Sequence, residues 1–148
     1  MTAIFVLRHA DRAAGADSLS DAGKRRAQSL AGMLADTGVS IAYCSDAQRT
    51  HETLAPLKQR RGDALTIHEV SAADPGGTNA HVQLVIAAIE ALSPGTVAVV
   101  VSHSNTVRSI IEGLGGGADA TIAETEFDKL FLLVRSADGQ NTLLRLHY

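Results

Sequence analysis

The chain has 148 residues, 45% of them hydrophobic, and a formal net charge of -3, which suits one domain over 1–148 with a buried core. The charge gives no basic field, and apart from the runs Lys24 to Arg26 and Arg60-Arg61 the cations are scattered, so neither nucleic acid nor an anionic membrane is an expected partner. The apolar runs are too short to span a bilayer, no signal-like segment opens the chain, and Cys44 is the single cysteine; a cytoplasmic protein without internal disulfides is expected.

Ile4 to Leu7 is an unbroken apolar run that reads as a first strand buried on both faces. Ser20 can cap a first helix over Asp21 to Thr37, in which Ala27, Leu30, Ala31 and Leu34 recur at helical spacing and Gly38 is the stop. Ser40 to Cys44 predicts a second strand. Asp46 can cap the helix that follows, through Arg49, Leu54 and Leu57, with a kink or early end at Pro56.

Leu65 to Val70 reads as a third strand, and Val82, Val85, Ile86 and Ile89 mark a third helix stopped by Pro94-Gly95. Thr96 to Val101 is the strongest strand signal, a β-branched run that belongs at the centre of a sheet. Val107, Ile110, Ile111 and Leu114 set the fourth helix directly after it. Lys129 to Arg135 and Thr142 to Leu146 flank Asp138-Gly139 as a terminal hairpin. The order βαβαβαβα followed by two strands predicts an α/β fold, a three-layer αβα sandwich around a mostly parallel sheet of about six strands.

In such a sheet the ligand crevice lies outside the carboxyl ends of the strands. Arg8, His9, Asp11 and Arg12 follow the first strand, Ser45, Asp46 and Arg49 the second, and Ser102, His103, Ser104 and Asn105 the fourth. These residue types suit a phosphoryl group: guanidinium forks bind its equatorial oxygens, and a neutral imidazole nitrogen can attack phosphorus from the opposite side. Arg8, Arg49 and His9 fit those parts. Arg49 also falls in the first turn of its helix, where free amides favour an anion.

Other chemistries fit less well. Cys44 and Arg49 are separated by four residues without a glycine, unlike the single phosphate-cradling loop of a cysteine phosphatase, so Cys44 reads as a small buried hydrophobe. Gly113, Gly115 and Ala118 match a dinucleotide pattern but follow a helix. His9 and Asp11 lack further ligands at metal-binding spacing and lie beside Arg8 and Arg12. His51, His68, His81 and His147 carry no assigned role. Arg12 either reaches substrate or is a plain surface arginine.

Four segments in order, Phe5 to Ala10, Leu19 to Gly23 with Ala27-Gln28, Tyr43 to Thr50, and Val99 to Thr106, resemble the histidine phosphatase superfamily, whose fold is that of the phosphoglycerate mutases. The resemblance implies that His9 accepts the phosphoryl group and that Arg8, Arg49 and His103 complete its pocket, with no metal and no cofactor. Ser104, Asn105 and Arg12 become candidate substrate contacts. Ala10 stands where the family often has glycine. About eight residues separate Val70 from the third helix, so the long insertion of the mutases is missing; the chain is similar to the short, lidless branch that includes protein-phosphohistidine phosphatases, and mutase activity is not expected.

The expected substrate is a small phosphorylated metabolite or a phosphohistidine-bearing protein. The expected general acid is a carboxyl just past the third strand: Glu69, on the face shared with Leu65 and Ile67, ahead of Asp74 and Asp11. Arg8→Ala and Arg49→Ala are both expected to spare folding. The competing reading is a catalytically silent member of this fold that binds phosphorylated ligands.

Overall fold

The computed structural model describes residues 1–73 and 76–148. Six strands form one sheet in the order β3-β2-β4-β1-β5-β6: β1 Thr2–Arg8, β2 Ile41–Cys44, β3 Thr66–Glu69, β4 Val97–Ser102, β5 Lys129–Arg135 and β6 Asn141–His147. The β1–β4, β4–β2 and β2–β3 pairs are parallel, and β5 and β6 add antiparallel to the β1 edge. The helices are α1 Asp21–Leu34, α2 Gln48–Arg61, α3 Gly77–Glu90 and α4 Val107–Gly113.

Strand alternation sorts the core into two layers. Phe5 and Leu7 of β1 and Val99 and Val101 of β4 pack with Leu30 and Leu34 of α1 and Leu54 and Leu57 of α2. Ile4, Val6, Ala98 and Val100 point the other way, onto Val82, Val85 and Ile89 of α3 and Val107, Ile110 and Ile111 of α4. The sandwich is therefore the three-layer one, with β4 inside the sheet. Helix α1 leaves β1 on one face and α4 leaves the adjacent β4 on the other. That divergence opens a crevice at the shared carboxyl ends of β1 and β4, as a topological switch point does. Among the described residues, no helix is long and apolar enough to cross a membrane.

Three local expectations change. Helix α1 ends at Leu34 instead of Thr37, before Gly38 reaches φ +81°. Helix α2 runs through Pro56 to Arg61. Pro56 forfeits one amide bond, while buried Thr53, Leu54 and Leu57 hold the neighbouring turns to the sheet. Asp46 does not cap α2: the N-cap is Ala47, with no side-chain bond, and the Asp46 carboxylate instead accepts from the Ala72 amide at 2.7 Å. Ser20 does cap α1, accepting from Gly23 N at 3.1 Å.

Candidate functional site

Pairing with β4 continues one residue past β1, where His9 N donates to Ser102 O at 2.9 Å, and this fixes His9 at the crevice floor. Ala10 N donates to Thr53 Oγ1 on α2 at 2.9 Å. The loop then folds back, with Ser20 N bonded to Asp11 O at 2.9 Å. A Cβ on Gly23 would lie 2.0 Å from Asp11 O, so glycine is what lets this loop rest on the first turn of α1.

Arg8, His9, Arg49 and His103 converge on one cavity of about 630 Å³. The His9 and His103 ring centroids are 5.4 Å apart. His9 Nδ1 lies 2.7 Å from Ala10 O, a carbonyl that can only accept, so Nδ1 holds the proton and Nε2 keeps its lone pair. Arg49 Nε donates to that Nε2 at 3.2 Å. Arg49 Nη2 lies 3.4 Å from His103 Nδ1, and since guanidinium only donates, the His103 proton falls on Nε2, facing Ser45 Oγ at 2.8 Å. Burial drives both imidazoles toward their neutral forms, His9 to about 3 and His103 to about 4, with the nearby Arg49 and Arg8 charges acting in the same direction.

Arg8 is held differently. Its Nη1 donates to the carbonyls of Glu124 at 2.8 Å and Glu126 at 2.9 Å, and its guanidinium carbon lies 4.0 Å over the Phe127 ring. Tyr148 Oη donates to the Arg8 carbonyl at 2.9 Å. Arg8 thus anchors the segment before β5 while lining the cavity.

Arg12, Ser104 and Asn105 also line this cavity. Arg12 donates to Ala16 O at 2.9 Å, and Ser104 Oγ to Glu124 Oε1 at 2.9 Å. The proposed acids fare otherwise. Glu69 is not among the lining residues; it accepts from His51 Nε2 at 2.7 Å. The face shared with Leu65 and Ile67 is the α2 side of the sheet, and β3 is three strand spacings, roughly 14 Å, from the strand carrying His9. Asp11 is committed to Arg26 Nε at 2.6 Å and is likewise not among the lining residues. Asp74 lies outside the described residues.

Among the described residues, the carboxylates that line the cavity are Asp17, Asp46 and Glu124, of which Asp17 and Glu124 sit in loops with no periodic signal. His81, given no role from sequence, is fully buried and bridges Val70 O at 2.7 Å to Ser102 Oγ at 2.8 Å. Ser102 Oγ meets Thr106 Oγ1 at 2.6 Å, and that hydroxyl accepts from His103 N at 3.0 Å. The network of His81, Ser102 and Thr106 under His103 is invisible to spacing because its members come from α3, the end of β4 and the turn before α4.

Sheet order and this edge define an α/β protein with an arginine- and imidazole-lined cavity at the switch point. The histidine phosphatase superfamily (branch 1) model matches residues 4–72. No curated protein sequence matches the chain. Among solved structures, a provisionally named phosphohistidine phosphatase SixA from Agrobacterium tumefaciens is 22% identical with a TM-score of 0.68, covering 90% of this chain and 92% of that one. A phosphoserine phosphatase from Entamoeba histolytica, solved with 3-phosphoglyceric acid, is 16% identical with a TM-score of 0.68, covering 100% and 98%. A provisionally named alpha-ribazole-5'-P phosphatase from Escherichia coli is 14% identical with a TM-score of 0.73, covering 100% and 98%. At these identities the likeness is one of fold. The histidine phosphatase pattern thus covers residues 4–72, and across its length the chain shares the fold of these solved structures.

Proposed function

We propose that the protein is a phosphatase that transfers a phosphoryl group from a phosphomonoester or phosphoramidate to His9 and then hydrolyses the phosphohistidine. The observation that carries this reading is the neutral His9 ring, its proton fixed on Nδ1 by Ala10 O, with Nε2 3.2 Å from Arg49 Nε in a cavity that Arg8 also lines. The Nε2 lone pair forms the N–P bond as the P–O or P–N bond to the leaving group breaks. Water then attacks phosphorus, the N–P bond breaks, and the imidazole regains its lone pair. Arg8, Arg49 and His103 would hold the oxygens of the moving group, so no metal is needed for charge.

Arg12, Ser104 and Asn105 would touch the remainder of the substrate, a small metabolite or a phosphohistidine-bearing protein. The short segment between β3 and α3 speaks against mutase chemistry, which must retain a substrate while it reorients. For the leaving-group proton, Glu124 is better placed than Glu69, because it lines the cavity with an exposed carboxyl that, among the described residues, accepts only from Ser104 Oγ and lies 3.8 Å from Arg8 Nη2. Asp46 there is bound by a backbone amide, and Asp17 is bound by an amide and a guanidinium.

The test is rapid quench with a labelled aryl phosphate. An acid-labile, base-stable adduct should map to His9, and His9→Ala should neither form it nor turn over, while wild-type turnover persists in excess chelator. Turnover that survives His9→Ala would end this reading. Phosphate binding without turnover on any aryl phosphate, acyl phosphate or phosphohistidine peptide would favour the silent phospho-ligand-binding member instead.

A further inference from the structure

The loop between β1 and α1 closes on itself, with Ala13 N bonded to Ser18 O at 2.8 Å and an antiparallel bridge between Arg12 and Leu19. It presents Asp17 to the start of α2. Asp17 Oδ2 accepts from Gln48 N at 3.0 Å, an amide of the first turn that has no partner within the helix. Asp17 Oδ1 accepts from Arg49 Nη1. The same guanidinium donates through Nε to His9 Nε2 and lies along His103 through Nη2. One carboxylate therefore occupies the Gln48 amide and a guanidinium nitrogen of Arg49, two of the donors that α2 offers to an anion, and it holds Arg49 against the lone pair of the attacking nitrogen.

We propose that Asp17 is an intramolecular competitor for the phosphoryl site, displaced when a phosphoryl group takes over Arg49 Nη1 and the Gln48 amide, and returning to expel inorganic phosphate after hydrolysis. The inference rests on the phosphoryl-pocket reading above. Displacement is undemanding on the Asp17 side, because its side chain is 50% exposed and already borders water. Return is favoured because the carboxylate is tethered a few ångströms away and acts at a high effective concentration. The Gln48 amide, then the Arg49 guanidinium, hold its carboxyl below the usual range, so the competitor is charged whenever phosphate is a dianion. Moving Arg49 onto a phosphoryl oxygen would also uncover His9 Nε2, so that binding and exposure of the nucleophile become one event.

The experiment is calorimetric titration of the whole chain with inorganic phosphate at about pH 8, where phosphate is dianionic, for wild type and Asp17→Asn. Asparagine keeps an acceptor for the Gln48 amide and removes the charge. Phosphate should bind Asp17→Asn roughly ten- to a hundred-fold more tightly, the scale of one charge-assisted pair no longer competing. Thermal midpoints without phosphate, and their rise with added phosphate, give the same comparison independently of activity and show that the variant is folded. Equal or weaker phosphate binding by a folded Asp17→Asn would overturn the competitor and make Asp17 a support for Arg49, leaving the pocket reading intact. Absence of phosphate binding by both proteins would overturn the pocket reading and this inference together.

Discussion

Two of the guanidinium groups that line the cavity, Arg8 and Arg49, come from regions of opposite construction. Arg8 stands at the end of a central strand, 6% exposed, with its Nη1 on backbone carbonyls of Glu124 and Glu126 and its plane against Phe127. Arg49 stands on the first turn of α2, and its partners are side chains that can be exchanged: His9, Asp17 and His103. The first arrangement costs a loop its anchor if it moves. The second can swap one anion for another. A buried cation held chiefly by backbone carbonyls, with only the exposed Glu124 carboxylate at 3.8 Å as an ionic partner among the described residues, acts as structure, whereas a cation on exchangeable side chains acts as a switchable surface.

Substitution separates the two most strongly. Arg49→Ala and Arg8→Ala should each lower turnover about a hundred-fold or more, the scale of about 3 kcal/mol for a lost preorganised donor. Only Arg8→Ala should also lower unfolding free energy, by roughly 3 kcal/mol, since it strands carbonyls and frees the segment before β5. This revises the sequence-based expectation that both variants spare folding. Urea unfolding of the two proteins decides it: equal midpoints for Arg8→Ala and wild type would remove the structural half of the contrast.

A smaller effect concerns the acid. Glu124→Gln should slow an alkyl phosphate by roughly ten- to a hundred-fold and a nitrophenyl phosphate little, as loss of a proton donor does. Glu69→Gln should leave both rates near wild type, because its carboxylate faces His51. A leaving-group-dependent loss in Glu69→Gln and none in Glu124→Gln would return the role to the β3 end.

The smallest effect is on stability against pH. His9 and His103 have folded values near 3 and 4, below the ordinary 6.5, so between those limits the unfolded chain binds more protons. Stability is then full above about pH 6.5 and falls as pH drops through that value, with a positive slope of unfolding free energy on pH. The carboxylates of Asp17 and Asp46, held below 3.8, add their loss only at lower pH. Urea midpoints from about pH 7.5 to 5 should decline in wild type and decline less in His9→Gln; parallel curves would show that His9 is not buried neutral.

Much of this molecule was legible in the sequence. The β-branched run Thr96 to Val101, buried from Ala98 onward, and the apolar run Ile4 to Leu7 face packed layers on both sides, and continuous hydrophobicity reports that directly. Arg8, His9, Arg49 and His103 could be brought to one edge on paper, because each follows a strand or opens the helix after it, and parallel strands end together. Residues outside that regularity were not legible. Asp17, Glu124 and Phe127 lie in irregular segments whose backbone path no periodicity encodes, and His81 reads as one more histidine on a helix until α3 is laid against β4. Glu69 shows the converse: alternation assigned its face correctly, but only sheet order revealed that this face belongs to α2 and that β3 is the far edge. Local sequence determines which residues line a strand end, since that is set by covalent spacing. Which ends become neighbours, and which carboxylate reaches which guanidinium, is decided by packing between elements distant in the chain.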